Sequence, residues 1–337
     1  PGQISKPQRM ARPAGAWAAA FMLAAAAVRA QEPAEEQCQS RHFVSGGRTG
    51  TSMMQLTRRL QAAPVGQAHP PGLTLLVSFF WPSAVLAMDT TIQTHRTEMF
   101  AALATNLENP HIGAVHVLAD GLPANKSCSE VLAQELSSRG MLGPGSGEAA
   151  ALLAKLRCKT VSSQPTYADF LMYANSTLAG WPVLLSNADV VFDETLGLVD
   201  VDAIAAHNVL LLSVTSPRAS PAYSRIFGQA CETRNKCIWQ GMGYTQSWDA
   251  YVFQPPFHGD PRPSASFYMN IMSAEHHALQ VMNQTLGYSY ANGCRFINAF
   301  HWHCSNKMHA EPTFPRDGPK IGKTVPCASR IGCLGVR

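Results

Sequence analysis

An α/β fold built on one central, mostly parallel sheet is what this sequence predicts, on three observations. Apolar runs of strand length alternate with helix-patterned segments along 73–214, the order expected where helices connect parallel strands. The runs are apolar at odd and even positions alike, as in strands covered on both faces. The third run leads into a knot of acids, "NADVVFDE" at 187–194, at the strand end where sheets of this kind bind ligands.

Each element has its own justification. "LTLLVSFFW" (73–81) is a first strand, stopped by Pro82 and Ser83. A helix follows over about 91–107, with Met99, Phe100, Leu103 and Leu107 at helical spacing and "ENP" as its stop. "IGAVHVLAD" (112–120) is a second strand, ending in Asp120 and a "GLP" turn. "RGMLGPGSGEA" (139–149) reads as a loop insertion. "TYADFLMYANSTL" (166–178) is helical in pattern, "PVLLSNADVVF" (182–192) a third strand, and "AIAAHNVLLLSV" (203–214) a short helix with a fourth strand. There is no internal repeat.

Of the 337 residues, 46% are hydrophobic and 14% charged, the balance of a chain that folds on a core. The net charge of +4 is mild, and no Lys/Arg run interleaves with aromatics, so nucleic acid is not an expected partner. After Met10 and Arg12 comes "AGAWAAAFMLAAAAV" (14–28), with small residues at 28 and 30. This is the pattern of a secretory signal peptide. An uncleaved signal anchor also fits, and only that alternative brings in a membrane. Asn125, Asn175 and Asn283 open glycosylation sequons, and nine cysteines lie beyond residue 30, both suited to a secretory lumen, Golgi or ER, or to secretion. An odd count leaves at least one thiol over, and spacing does not fix the pairing. The expected layout is 1–30 signal segment, 31–70 stem, 71–310 catalytic domain and 311–337 basic tail.

Mg²⁺ and Mn²⁺ take oxygen ligands, commonly one or two carboxylates completed by phosphate oxygens and water. Asn187 and Asp189 offer two such side chains, which face one way if the segment is extended. Asp193 and Glu194 suit a ribose hydroxyl or the cap of the next turn. A turn or cap role explains the acids equally well when this stretch stands alone.

In chain order these segments resemble the GT-A-type glycosyltransferases, the nucleotide-diphospho-sugar transferase fold. "LLVSFFWPS" with "HRTEMFAALATNLENPHIGAVHVLAD" is similar to their opening, and "PTYADFLMYANSTLAGWPVLLSNADVVFDETL" to the segment carrying their Asp-x-Asp-like motif. "SWDAYVFQP" (247–255) and the stretch 269–309 are similar to later motifs. The motif here is Asn-Ala-Asp, with an amide in place of one carboxylate, which weakens the expected metal affinity.

The resemblance implies a nucleotide-diphosphate sugar as donor, a hydroxyl on a glycan or protein as acceptor, and Mn²⁺ or Mg²⁺ held by Asn187, Asp189 and a C-terminal histidine, His301 rather than His303. It implies Asp249 or Glu275 against the sugar or as proton acceptor. Asp193 and Lys307 would meet the donor's ribose and diphosphate. Each has a plainer role: Asp249 as a turn cap, Glu275 as a helix-start acid, Lys307 as a solvated lysine, Trp248 and Trp302 as core. A zinc site from His301, His303 and Cys304 is a rival that lacks a fourth ligand. A nucleotidyltransferase on a similar fold would want a glycine-rich basic loop after the first strand; "WPSAVLAMDTTIQTHR" has no glycine. A lumenal carbohydrate-binding or inactive scaffold protein is the reading outside catalysis.

Overall fold

A computed structural model describes residues 71–82, 88–122, 126–142, 146–204, 208–212, 214–215, 244–245, 249–269, 274–293, 296–302 and 325–326. The signal segment, stem, most of the basic tail, Asn125, Trp248, His303, Cys304 and Lys307 lie outside the described residues.

The first strand, β1 (Leu73–Phe80), is buried on both faces. Leu73, Leu75, Val77 and Phe79 face one core and Leu76 the other, as the period of two requires. Helix α1 (Thr90–Glu108) lies against the odd-numbered face through Met99, Phe100, Leu103 and Leu107. Asp89 starts it by accepting the Ile92 N–H at 3.3 Å. At its other end the Lys155 ammonium donates to the Leu107 carbonyl at 2.8 Å, a cation on the helix's negative pole. Then come β2 (Ile112–Asp120), α2 (Cys128–Ser138), α3 (Ser146–Ala154) and β3 (Leu156–Thr160). A Cys128–Cys158 disulfide joins the start of α2 to β3.

Helix α4 (Tyr167–Thr177) opens on a capping box in which the Thr166 hydroxyl and the Asp169 carboxylate satisfy each other's backbone N–H. It covers the second face with Tyr167, Phe170 and Leu171. β4 (Val183–Ser186) and β5 (Val190–Phe192) follow, then a 3₁₀ turn at Glu194–Leu198, α5 (Val201–Ile204), β6 (Asn208–Leu212) and β7 (Val214–Thr215). The rest are β8 (Tyr244–Thr245), β9 (Ala250–Phe253), α6 (Arg262–Ala265), α7 (Ala274–Gln280), a π-helical turn (Val281–Thr285), β10 (Ser289–Asn292), β11 (Ala299–His301) and β12 (Val325–Pro326).

Among the described residues, seven strands form the main sheet in the order β10-β6-β9-β4-β1-β2-β3. All neighbours pair parallel except β9, which is antiparallel to both β4 and β6. The fold is therefore α/β, with a mostly parallel sheet flanked by helices. A second sheet, β5-β11-β7, carries the short strands that follow β4 and β6, and β8 pairs with β12. No helix among the described residues is long and apolar enough to cross a membrane.

Three expectations change. The strand foreseen over 182–192 is two strands in different sheets, because the chain turns at 187–189, where the Val190 N–H reaches the Asn187 carbonyl at 3.3 Å. The segment is thus not extended, and Asn187 and Asp189 do not share a face on that ground. The loop insertion at 139–149 gives way to helix from Ser146. β3 is an edge strand with a mixed burial pattern and only Leu156 fully buried, which left no apolar run to read.

Candidate active site

The site is assembled where two sheets meet. β4 leaves the main sheet at Ser186 and, after the turn, the chain enters the second sheet as β5. α1 fixes this crossing. The Asn106 amide donates to the Val190 carbonyl at 2.8 Å and accepts the Phe192 N–H at 3.2 Å. The Asn109 amide donates to the Phe192 carbonyl at 3.0 Å. Both asparagines are buried, where a lost partner would be costly. Val191, Phe300 and Trp302 pack with Ala101 and Ala102 of α1 behind them.

β11 then runs antiparallel to β5, with His301 opposite Val190. The Trp302 N–H meets the Asp189 carbonyl at 2.7 Å. The pairing brings the side chains together as well, with His301 Nε2 3.0 Å from Asp189 Oδ2. The other ring nitrogen, Nδ1, lies 3.3 Å from Asp249 Oδ2. Asp249 stands immediately before β9, whose start lies at the end of β4, Ala250 opposite Ser186. Its carbonyl takes the Ser186 hydroxyl at 3.2 Å and the Asn187 N–H at 3.3 Å. Residues from three distant places in the chain thus line up as Asp189, His301, Asp249.

The electrostatics follow. Burial works against a charge on His301, but the Asp189 carboxylate, by charge and hydrogen bond, with Asp249 and Glu98 behind it, outweighs burial and holds the ring up at about 9. Glu275, half-buried near the start of α7, is pushed up to about 8, first by burial and then by the charge of Asp249. The Glu275 carbonyl accepts the Tyr251 hydroxyl at 2.7 Å, which ties α7 to the main sheet.

No group of three or more His, Cys, Asp or Glu side chains among the described residues is arranged to hold a metal ion by itself. Two donors are nevertheless suitably placed. On an octahedral Mg²⁺, adjacent ligands each about 2.1 Å from the ion stand about 3 Å apart. Asp189 Oδ2 and His301 Nε2 have that spacing. That spacing serves a hydrogen bond, and the same two atoms would be the ones to hold a cation, in exchange for the Nε2 proton, were one bound. Two protein donors suffice where substrate phosphate and water complete the shell.

The other foreseen residues fall elsewhere. The Asn187 backbone, not its amide, makes the contacts that shape the turn. Asp193 caps the 3₁₀ turn through the Thr195 N–H at 3.0 Å and receives the Asn298 amide at 2.9 Å, the second of the two roles its position allowed. Trp302 is fully buried core. Several residues escaped the sequence reading. Glu98 is buried on α1, 3.3 Å from His95 Nδ1, and its charge bears on His301. Arg96 lies over the Trp81 ring, 4.6 Å from its centroid. Its Nη2 is buried without a hydrogen bond, as is Oδ1 of Asp120 at the end of β2. The available signal was a base, Arg96, on the helical face of Met99 and Phe100, and an acid, Glu98, paired with His95 on another face.

No family model matches the chain, and no curated protein matches it. Among solved structures, 4-diphosphocytidyl-2C-methyl-D-erythritol synthase aligns at 11% identity and a TM-score of 0.29, over 74% of this chain and 96% of that one. UDP-glucose pyrophosphorylase, in complex with UDP-glucose, aligns at 7% identity and a TM-score of 0.28, over 55% of this chain and 76% of that one. Similarity at this level bears on neither the site nor its substrate.

Proposed function

We propose that this chain is a GT-A-type glycosyltransferase of the secretory lumen, moving a sugar from a nucleotide-diphosphate donor to a hydroxyl on a glycan or protein. The observation that carries the reading is the 3.0 Å approach of Asp189 and His301, set by the β5–β11 pairing just past the carboxyl end of β4. The resemblance of the surrounding segments to that family supports it. A disulfide between Cys128 and Cys158 suits an oxidising compartment.

Asp189 and His301 would hold Mn²⁺ or Mg²⁺. A cation there supplies positive charge against the diphosphate as it departs. Glu275 is the candidate proton acceptor: a carboxyl held near neutrality is a stronger base than an ordinary one and is still partly ionised at pH 7. Arg96, on α1 over Trp81 and 3.9 Å from Glu135, and Asp120, at the end of β2, each have a buried polar atom without a hydrogen bond and are candidates to meet the nucleotide.

A panel of nucleotide sugars, assayed with Mn²⁺ for hydrolysis and for transfer to simple glycan acceptors, tests the reading. One donor should turn over, and Asp189→Ala should lose at least 100-fold of that rate while its thermal midpoint stays within a few degrees. Tight binding of a sugar with no turnover in any combination would replace the enzyme with a carbohydrate-binding protein.

A further inference from the structure

We propose that Asp249 is a positioning residue, whose carboxylate holds the His301 ring so that Nε2 is presented beside Asp189 to one shared cation. The inference rests on the cation reading above and gives Asp249 a task other than accepting the acceptor's proton.

The geometry carries it. The two nitrogens of an imidazole lie on opposite edges of the ring, so a partner on each fixes the ring's rotation as well as its tautomer. Asp249 Oδ2 is 3.3 Å from Nδ1 and Asp189 Oδ2 is 3.0 Å from Nε2. A histidine that binds a metal through one nitrogen typically donates the other N–H to a carboxylate, which orients the ring and makes it a better donor. Asp249 occupies that place.

The anchoring of the two groups also differs. His301 ends β11 in the second sheet. Asp249 belongs to the main sheet, where Ser186 and Asn187 both bind its carbonyl. The carboxylate is therefore held by a rigid base while the ring comes to it from another layer. Asp249 is also the more enclosed of the two, with 12% of its side chain exposed against 29% for His301. That favours holding a ring over meeting an acceptor hydroxyl that arrives from solvent.

The test is Mn²⁺ affinity of the full chain, with inorganic pyrophosphate as the completing anion, read from the loss of the free Mn²⁺ resonance. Asp249→Asn should bind Mn²⁺ between 10-fold and 100-fold more weakly, with an unchanged circular dichroism spectrum, and raised Mn²⁺ should restore its donor hydrolysis. Should the asparagine variant fail to fold, Asp249→Ser carries the same expectation. Affinity within twofold of wild type, with turnover that added Mn²⁺ does not rescue, would overturn the proposal and make Asp249 a proton acceptor. If the wild-type chain takes up no Mn²⁺ at all, the cation reading falls and this one with it.

Discussion

Glu275 and His116 show how the same burial has opposite consequences for an acid and a base. The folded chain keeps a proton on Glu275 that the unfolded chain releases between pH 4.5 and about 8. Its contribution to stability is therefore complete below pH 4.5 and lost as the pH rises through 8. Glu275→Gln should be more stable than wild type at pH 8 by roughly 1–3 kcal/mol, and little different at pH 4.5. It should also lose the rise in transfer rate toward pH 8. Urea midpoints and pH–rate profiles of the two proteins check both outcomes. His116 is buried on β2, with Nδ1 2.9 Å from the Tyr173 hydroxyl. Burial first, and the charge of Arg157 second, lower it from 6.5 to about 4. The unfolded chain takes up that proton first, so stability falls as the pH drops from 6.5 toward 4. His116→Gln should flatten that part of a urea-midpoint titration.

At the scale of elements, the site depends on how β5 is held. Asn106 bonds β5 at both ends, so Asn106→Ala would strand two buried backbone groups, Val190 C=O and Phe192 N–H. The expected cost is about 2–3 kcal/mol. Mn²⁺ affinity should fall with it, because β5 sets the position of Asp189. The Cys128–Cys158 bond closes a loop with a sequence separation of 30. By loop-closure entropy its removal as Cys128→Ser/Cys158→Ser should cost roughly 3–4 kcal/mol, seen as a lower denaturant midpoint. Neither feature was legible beforehand. Asparagines near a helix end read as stop signals, and nothing local shows which backbone groups they will reach over 80 residues away. Nine cysteines allow too many pairings for spacing to decide.

For the whole molecule, the legible part was whatever periodicity encodes. β1, β2, α1 and α4 lie within a residue or so of where the apolar pattern places them, since burial on one face or two leaves a mark in the chain itself. The second sheet left little: β5 falls inside the run read as one strand with β4, and nothing marks where the chain changes sheet. Its strands have two or three residues and are defined by their partners. Asp189, Asp249, Glu275 and His301 could each be named from neighbouring motifs. Their order, with the imidazole between two carboxylates, exists only once the sheets have met. If a cation binds through that meeting, as proposed, Mn²⁺ with pyrophosphate should raise the thermal midpoint of the wild type and not of Asp189→Ala. Differential scanning fluorimetry decides it.

The Asp189–His301 contact spans 112 positions. A ribosome that has delivered the first partner must still translate the antiparallel strand of the main sheet, α7 and β10 before it delivers the second. Throughout that interval the nascent chain carries Asp189 without its imidazole partner, and a premature stop within it leaves β1, β2 and β4 without the Asp189–His301 pair.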